Sequence, residues 1–314
     1  MPLYTYHSND LECLADALSR VIREPLTNVL LPEIVVVQNN GMGRWLSLRL
    51  ATTLGICANI EMNFPAEFVW RTLRETLGIK DTAGKVSPYT PDMLTWWLMD
   101  LLSDPEQLSQ FPDLFDYLRQ GDELKCYEIA RHLAGLFDQY VVYRQDWIEK
   151  WEAGQESHWQ ARLWQTLAAR ITIETSNPSW VELQKLFFAG VRAGTLQSPT
   201  KLQRVSVFAI SSLSPSYLGV LQGLGELLDV YLFIVNPSQA YWSDICSQRD
   251  QVRLAVRDDT SMEYLDVGNS LLASLGAQGR DFIESVISLD YLVEAGEKFV
   301  DPGCDTLLHT LQSD

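Results

Sequence analysis

The residues with the clearest chemical potential lie in the segment EIVVVQNNGMGRWLSLRL, residues 33–50. An apolar run, two glycines and a periodic apolar stretch predict a strand, a short polar turn and a helix, which is the layout of a phosphate-binding loop. Such a loop needs a lysine directly after its last glycine and then a Ser or Thr for magnesium. Here Gly41 and Gly43 are only two apart, and Arg44 and Trp45 follow them. We therefore predict that this chain neither binds nor hydrolyses ATP.

A second string has the order of a metal-dependent nuclease motif, P-D…E-x-K. It consists of Asp113 after a proline, and of Glu123 and Lys125. Two carboxylates hold one cation only where they meet, as they do at adjoining strand ends. Both pieces here lie in helix-patterned sequence, where Gly121 or Asp122 would cap a helix. We predict no catalytic residue and no metal site in this chain.

The other reactive residue types are scattered. Four histidines and five cysteines show no metal-ligand or redox spacing, and the serines of AISSLSPS, residues 209–216, fit turns and helix caps. Arg71 and Arg74 share a predicted helix face beside Trp70, and cations near aromatic rings are how proteins hold single-stranded nucleic acid. An ordinary amphipathic helix with a solvated face explains the same pattern, and composition alone favours this second interpretation.

Composition limits the class of function. The chain has 314 residues, of which 46% are hydrophobic, enough for a well-packed core and about two domains. Its net charge of −17 argues against a protein that coats DNA, because phosphate contacts need a positive surface. Any nucleic-acid function must therefore occupy a confined groove. No apolar run approaches the roughly 20 residues that span a bilayer, and no signal peptide is apparent, so we expect a cytoplasmic protein without membrane contact.

Strand and helix patterns alternate in the first and last parts of the chain. Strand patterns such as those at residues 2–6 and 204–210 are followed by helix patterns, which predicts a parallel sheet covered by helices. Residues 88–195 show only helix patterns. We predict an α/β core made of residues 1–87 and 196–314, interrupted by an all-helical insertion at 88–195.

Several stretches occur in the order that is typical of one protein family. They are YHSNDLECLADAL, VVVQNNGMGRWLSLRLATTLGICANIEMNFPAEFVW, LAGLFDQYVVYRQDWIEKWEAG, VFAISSLSPSYLGVLQGLGELLDVYLFIVNPS and DVGNSLLASLGAQGRDF. Together they resemble the RecC family, the gamma subunits of exodeoxyribonuclease V, the bacterial RecBCD helicase–nuclease. The resemblance covers most of the chain and corresponds to the N-terminal portion of family members.

The resemblance implies a parallel-sheet, P-loop-type superfamily 1 helicase fold that has lost its motor residues. The helical insertion then corresponds to an accessory subdomain, and the strand–turn–helix at residues 33–50 is the relic of a phosphate loop. It also implies a subunit of DNA repair by recombination that needs no cofactor. Such a subunit splits duplex ends and guides single-stranded DNA toward RecB-type and RecD-type subunits.

The resemblance further implies residues that line a tunnel for the 3′-ended strand, which family members scan for the recombination hotspot Chi. In this sequence those positions are Gln38, Asn40, Arg44, Phe64, Trp70, Gly135, Leu136, Asp138 and Arg144. Five of them keep the residue types of the family. The other four, Asn40, Arg44, Phe64 and Gly135, stand where Thr, Gln, Leu and Asp are expected. Any hotspot that this protein reads is therefore expected to differ.

Other interpretations remain open from the sequence. A related inactive-helicase subunit of the AddAB type would carry a nuclease domain further along, and a pure scaffold would only bind the motor subunit. The missing lysine and the stretch GNSLLASLGAQGRDF favour the RecC class. Trp70 and Leu136 also fit a hydrophobic core, in which case neither of them contacts DNA.

Overall fold

The computed structural model describes residues 3–79, 87–119, 121–199, 201–247, 249, 252 and 266–313. The chain divides into two compact units. One consists of Met1–Pro65 and Thr200–Asp314, and the other of Ala66–Pro199. The first unit contains strands and helices, whereas the described part of the second unit is helical.

The first unit is built on a sheet of parallel strands. Among the described residues, the strands are β1 (Leu3–Ser8), β2 (Glu33–Val37), β3 (Ile60–Asn63), β4 (Arg204–Phe208), β5 (Asp229–Val235), β6 (Ile245–Cys246), β7 (Asp266–Val267) and β8 (Leu292–Glu297). Six of them form the sheet in the order β3-β2-β4-β5-β1-β8, with every pair parallel. The predicted α/β class with a parallel sheet is therefore confirmed, while β6 and β7 pair with each other.

The helices of this unit cover the sheet. They are α1 (Leu11–Arg23), α2 (Asn40–Leu54), α11 (Pro215–Gly225), α12 (Ser270–Leu275), α13 (Ala277–Ile287) and α14 (Leu307–Ser313). Helix α1 begins after Asp10, because the Asp10 side chain accepts from the Glu12 N–H at 2.7 Å and satisfies a free amide of the first turn. Helices α1 and α2 pack on one face of the sheet through fully buried residues such as Leu18, Leu46 and Phe208.

The path of the chain creates two crevices at the carboxyl edge of the sheet. The connections β1–α1–β2 and β2–α2–β3 run in one direction along the sheet, and β4–α11–β5 runs in the other. Since such crossovers are right-handed, α1 and α2 lie on one face and α11 on the opposite face. The chain therefore leaves neighbouring strands β2 and β4 toward opposite faces, and the same holds for β5 and β1. Open α/β sheets bind ligands at such switch points.

The second unit is a helical assembly with an aromatic core. Its helices are α3 (Pro65–Thr76), α4 (Pro91–Ser103), α5 (Pro105–Leu108), α6 (Pro112–Leu118), α7 (Glu123–Tyr143), α8 (Gln145–Glu152), α9 (Trp159–Thr175) and α10 (Trp180–Ala193). The sequence analysis assigned α3 to the α/β core, with the boundary near residue 88. In the structure α3 groups with the helical unit. Its Trp70 ring stacks on Trp180 at 5.8 Å and meets the edge of Tyr89 at 5.9 Å, contacts that no local pattern encodes.

Several strands differ from the sequence-based expectation, and β4 ends at Phe208 rather than at residue 210. β1 continues past residue 6 to Ser8, and only its predicted first residue, Pro2, lies outside the described residues. β8 was not predicted, because its sequence LVEAGE is mostly exposed and polar in part. It forms by pairing with β1, and a register shift interrupts the pairing between Thr5 and Tyr6.

Candidate functional site

The turn between β2 and α2 is shorter than the sequence predicted. Only Gln38 and Asn39 separate the two elements, and both Gly41 and Gly43 lie inside the first turn of α2. Asn39 caps the helix, since its Oδ1 accepts from the Met42 N–H at 2.9 Å, and this lets the helix begin before the glycines. The prediction of a turn that contains two glycines is therefore wrong, and the fully described stretch 33–54 has no extended glycine loop around a phosphate position.

Four of the expected tunnel residues lie at the carboxyl edge of the strands β3 and β2. Gln38 directly follows β2, and Phe64 directly follows the neighbouring β3. Asn40 and Arg44 are four residues apart on α2 and therefore share one face of that helix. Gln38, Asn40 and Arg44 are exposed, and the Phe64 ring is 38% exposed. We call these four residues the edge set.

The edge set borders the crevice between β2 and β4. Gln38 Nε2 donates to Ser211 Oγ at 3.5 Å, and Ser211 lies shortly after the end of β4. The sequence analysis treated this serine as one of several turn or cap residues. That prediction is confirmed for Ser214, which accepts from the Tyr217 N–H at 3.3 Å and caps α11. Ser211 lies at the crevice. Its position just after a buried strand could have predicted from the sequence that it lies at this edge of the sheet.

The chemistry of the edge set is that of a polar contact surface. Amide side chains such as Gln38 and Asn40 both donate and accept hydrogen bonds, while the Arg44 guanidinium only donates. These groups can pair with base edges or with phosphate oxygens, and an exposed ring such as Phe64 can stack on a base. None of the four carries a group that suits acid–base or nucleophilic catalysis at neutral pH.

The structure places Trp70 in the core of the helical unit. Its side chain is 1% exposed, one ring face is stacked on Trp180 with an interplanar angle of 9°, and the Arg74 guanidinium lies 5.8 Å from the ring centroid. Arg74 is itself 6% exposed, so the expectation of a solvated face is wrong for this residue. The distance to the Trp70 ring is within the range of a cation–π contact. A base could stack on Trp70 only if a neighbouring side chain moved.

Leu136 is half-buried and lines a shallow groove of about 520 Å³ along α7. The groove is lined by Leu124, Tyr127, Glu128, Arg131, His132, Gly135, Leu136 and Gln139. A Cβ placed on Gly135 would have no heavy atom within 4 Å, so the groove is open at this position, where the resemblance led us to expect an aspartate. The sequence analysis did not single out Arg131 and His132. Arg131 stands four residues before Gly135 and His132 four residues before Leu136, and this helical spacing could have indicated that they line the same groove.

Asp138 and Arg144 occupy different surroundings near the C-terminal end of α7. Asp138 is half-buried, and loss of solvation raises the pKa of its carboxyl group above the ordinary value. Arg144 is exposed, ends the helix, and holds its guanidinium 5.4 Å from the Trp147 ring centroid. Five of the nine expected tunnel residues thus lie in the helical unit, and the four of the edge set lie in the α/β unit. The five are Trp70, Gly135, Leu136, Asp138 and Arg144.

The nuclease-like string is split between two helix starts. Asp113 lies in the first turn of α6, and Glu123 lies in the first turn of α7. Asp122 caps α7, since its Oδ1 accepts from the Lys125 N–H at 3.0 Å, as the capping interpretation predicted. Among the described residues no group of three or more His, Cys, Asp or Glu side chains is arranged to hold a metal ion. Within the same residues, every helix is too short or too polar to cross a bilayer.

The second crevice, between β5 and β1, opens into a cavity of about 800 Å³. It is bordered by the loop between β1 and α1, where Asn9 makes two hydrogen bonds of 2.8 and 2.9 Å to the backbone of Val300. Asp10 follows and puts its carboxylate at the N-terminus of α1. That helix end would attract a phosphate in a nucleotide-binding protein. Here the Asp10 carboxylate occupies the position that a phosphate would take, and its negative charge would repel a phosphate.

The fold and the two crevices define an α/β protein whose nucleotide-type positions carry polar contact groups and a carboxylate cap. Comparison of the sequence with known families identifies the group to which it belongs. Residues 3–314 match the family RecC, N-terminal domain, so the chain belongs to this family. Of the two related subunit classes considered from the sequence, RecC and AddAB-type, the match is to RecC.

Curated relatives carry the same name. The chain is 34% identical to the RecBCD enzyme subunit RecC of Escherichia coli K12, over 99% of this chain and 30% of the relative. It is 29% identical to the RecBCD enzyme subunit RecC of Haemophilus influenzae, over 88% of this chain and 30% of the relative. The corresponding subunit of Mycolicibacterium smegmatis is 31% identical, over 100% of this chain and 28% of the relative. The chain thus spans about 30% of the length of these relatives.

Proposed function

We propose that this chain is part of a non-catalytic, DNA-guiding subunit of a RecBCD-type enzyme, exodeoxyribonuclease V, that acts in the cytoplasm in repair of double-strand breaks. The observation that carries the proposal is the edge set, Gln38, Asn40, Arg44 and Phe64, at the carboxyl edge of β2 and β3. These residues combine hydrogen-bonding groups with an exposed ring beside the crevice between β2 and β4. That combination suits a single strand, whose bases are free to pair and stack.

The α/β unit is proposed to be an inactivated P-loop-type superfamily 1 helicase domain. Its parallel sheet with helices on both faces supports this assignment. The turn after β2 consists of Gln38 and Asn39 and holds no lysine, and the turn after β1 ends in the Asp10 carboxylate. Both features disfavour bound nucleotide phosphates. The short turn after β2 has no glycine loop or lysine to surround a phosphate, and the Asp10 carboxylate places a negative charge where a phosphate would bind.

Strand movement and strand cleavage are then left to other subunits of the complex. We propose RecB-type and RecD-type polypeptides as partners, since the relatives are named as subunits of the RecBCD enzyme. The net charge of −17 supports an arrangement in which DNA contacts this chain only inside a narrow channel. The whole subunit would split duplex ends and conduct the single strands to the motor and nuclease sites.

Scanning for a Chi-type hotspot is proposed as a second property of the same surface. Gln38 and Arg44 support it, because amide and guanidinium groups distinguish bases by their hydrogen-bonding edges. Within the helical unit, Leu136 and Asp138 of α7 and Arg144 at its C-terminal end are proposed as further contacts to the strand. Trp70 is proposed to stabilise the helical unit from its core, given its burial.

A base-resolved crosslink tests the guiding role. The photoreactive residue p-benzoylphenylalanine replaces Gln38 or Arg44 in the complete enzyme, which is then loaded with a DNA duplex end and irradiated. The control is the same replacement at Arg20, an exposed residue in the last turn of α1, at the opposite edge of the sheet. We expect crosslinks to one strand from positions 38 and 44 and none from position 20.

The crosslink separates a channel from a scaffold. If the complex assembles and unwinds DNA but neither position 38 nor position 44 crosslinks, the edge set does not touch the strand. The chain would then serve only to bind the motor subunit, and the guiding role would have to be abandoned.

A further inference from the structure

The junction between α7 and α8 exposes two aromatic rings and an arginine. Tyr143, the last residue of α7, is 64% exposed, and Trp147, in the first turn of α8, is 41% exposed. Arg144 separates the two helices and is also exposed. We call Tyr143, Arg144 and Trp147 the junction platform.

Backbone hydrogen bonds fix the junction. The Arg144 N–H donates to the Tyr140 carbonyl oxygen at 2.8 Å and thereby ends α7. The Arg144 carbonyl oxygen accepts from the N–H groups of Trp147 at 3.0 Å and of Ile148 at 3.2 Å, at the start of α8. One residue therefore closes one helix and opens the next, so the backbone that carries the platform is held on both sides.

Neighbouring rings hold the Trp147 side chain in place. Its ring centroid lies 5.5 Å from that of Tyr140 and 6.5 Å from that of Trp151, which is buried. The Arg144 guanidinium lies 5.4 Å from the Trp147 ring centroid, within the range of a cation–π contact. Because the Trp147 ring is packed against other rings and is still partly exposed, it has little freedom left to lose when a ligand stacks on it.

The charge at the platform suits a phosphate group. Among the described residues, Arg144 forms no ion pair. The Glu149 carboxylate of α8 pairs with Lys185 at 3.8 Å, so its charge is offset. Asp146 is exposed, but residues one or two positions apart on a helix do not face each other. The Arg144 guanidinium is therefore open to a phosphate oxygen, for which its planar donors are well suited.

The exposed face of α7 leads to the platform. His132, Leu136, Gln139 and Tyr143 are spaced by four, three and four residues and therefore share one face of the helix. The first three line the groove of about 520 Å³ described above. From Leu136 to Tyr143 the helix advances by about 10 Å at 1.5 Å per residue. A polymer that contacts Leu136 can therefore reach the platform by following this face.

The chemistry of the platform points to single-stranded nucleic acid. Proteins hold such strands by stacking bases on aromatic rings and pairing phosphates with cations. The bases of a duplex are stacked on one another, so a duplex does not offer their faces to Tyr143 and Trp147. An apolar pocket on a protein fits less well, because it would bury the Arg144 charge, and burying a charge without a partner costs free energy.

We propose that the junction platform is a stacking site for single-stranded DNA, in which Tyr143 and Trp147 contact bases and Arg144 contacts a phosphate. This inference rests on the proposed function, because the strand is the one that the complete subunit guides. Every base has a face that can stack, so the platform would hold a strand of any sequence. Any preference for particular bases would then come from other residues, such as the edge set.

A photocrosslink from the DNA side tests the site in the complete enzyme. A duplex end with a single-stranded 3′ tail carries 5-iodouracil at successive tail positions and is irradiated after binding, without ATP. Iodouracil reacts with an aromatic side chain that is stacked on it, and peptide mass spectrometry identifies that residue. We expect crosslinks to Tyr143 or Trp147. The control ring is Tyr291, which is 77% exposed just before β8, at the edge of the sheet opposite the edge set, and should give none.

Leucine variants of the complete enzyme measure what the rings contribute. Trp147→Leu keeps an apolar side chain against Tyr140 and Trp151 but cannot stack on a base, and Tyr143→Leu makes the same change at a more exposed position. We expect each to weaken binding of single-stranded oligonucleotides at least about fivefold, by equal factors for different base sequences. Trp147→Phe should retain most of the affinity, and Tyr291→Leu should leave it unchanged.

The outcomes separate this site from the edge set. Crosslinks from positions 38 and 44 without any to Tyr143 or Trp147 overturn the platform and keep the guiding role. Crosslinks to Tyr143 or Trp147 without any from positions 38 and 44 keep the platform and remove the edge set from the path of the strand.

Two further results would also overturn the platform. One is p-benzoylphenylalanine at position 143 that couples to another polypeptide of the complex instead of DNA, since a protein would then cover the junction. The other is full affinity in Tyr143→Leu and Trp147→Leu, or a loss confined to one base sequence, since neither agrees with stacking that accepts every base.

Discussion

At the scale of single residues, Arg44 stands where the resemblance to the family leads us to expect a glutamine. It is exposed in the second turn of α2, on the same face as Asn40. A guanidinium presents two parallel donors to guanine, which a glutamine amide does not, and one such contact contributes roughly 1–3 kcal/mol of base discrimination. The side chain at this position is therefore suited to change which base is preferred, without any change in the fold.

We predict that Arg44→Gln in the complete enzyme alters the sequence at which DNA degradation is attenuated, while unwinding continues at a near-normal rate. The measurement maps strand-break endpoints on a randomised duplex for both proteins. Arg20→Gln, at the far end of α1, is the matched control and should leave the endpoints unchanged. Identical endpoint preferences for Arg44→Gln and the original protein would leave Arg44 as a phosphate contact or a surface charge.

Asp138 gives a prediction about pH. Burial raises the pKa of its carboxyl group in the folded state, so the folded protein holds this proton more tightly than the unfolded chain does. The resulting stability is fully present below the ordinary aspartate pKa and is lost as pH rises through the raised value. Asp138→Asn cannot lose a proton, so we expect it to melt at a higher temperature than the original protein at pH 7.

The difference in melting temperature between Asp138→Asn and the original protein should shrink as the pH is lowered toward the ordinary pKa of aspartate. Calorimetric scans across the acidic range measure it. Asp116→Asn, at an exposed position on α6, serves as the control and should show no comparable trend. A constant difference at every pH would mean that Asp138 is not desolvated in solution.

At the scale of elements, the start of α2 decides what the strand–turn–helix can do. Asn39 caps the helix immediately after Gln38, and the two glycines become part of the first turn. We predict that Asn39→Ala destabilises the protein by about 0.5–2 kcal/mol, the usual effect of losing an N-cap side chain. Denaturant unfolding of the chain measures the change.

Asn40→Ala provides the control for the cap, because Asn40 is the next residue and already part of α2. An exposed substitution of this kind changes stability by about 0.5 kcal/mol or less. Equal effects of the two substitutions would show that the helix does not begin at the cap seen here.

The elements that could be predicted from the sequence are those with local signals. Apolar runs predicted β2 and β4, and the cap role expected of the serines at 209–216 was confirmed for Ser214 at the start of α11. The glycine turn failed because glycine favours turns in general, whereas the cap at Asn39 decides locally where the helix begins. β8 failed because an exposed edge strand carries little apolar pattern and forms only through its partner β1.

The candidate site was predictable to a similar degree. Gln38 and Phe64 could be placed at one edge because both follow strands of a parallel sheet. The burial of the Trp70 side chain could not be predicted, because its stacking partner Trp180 comes from a different helix. The approach of Ser211 to Gln38 depends on the pairing of β2 with β4 across 173 positions of sequence, which no local window contains.

At the scale of the whole molecule, the two nucleotide-type positions predict the absence of ATP chemistry. We expect no micromolar nucleotide binding by calorimetry and no ATP turnover by the purified chain. Arg44→Lys should not restore either, because position 44 lies within α2 and not in a loop that wraps a phosphate. Measurable turnover, or micromolar binding, would refute the assignment of an inactivated helicase domain.

The net charge of the whole chain predicts how strongly it binds DNA. The chain by itself should bind DNA weakly, because a net charge of −17 repels phosphate outside a channel. The binding that remains should favour single strands and fade as salt rises. Fluorescence anisotropy with labelled single-stranded and duplex oligonucleotides, across a salt series, measures both trends. Tight duplex binding that survives high salt would contradict this expectation.

The long-range pairing of β1 has a consequence for how the protein is made. Ser8 bonds to the Lys298 carbonyl oxygen across 290 positions of sequence, and both neighbours of β1 in the sheet are synthesised after the helical unit. At about 5–20 residues per second, the ribosome takes roughly 15–60 s to deliver this contact. During that time β1 leaves the exit tunnel without its partner strands, while the helical unit can already bury its aromatic core. Nascent chains released before β5 should therefore need a chaperone, or aggregate through their first strand.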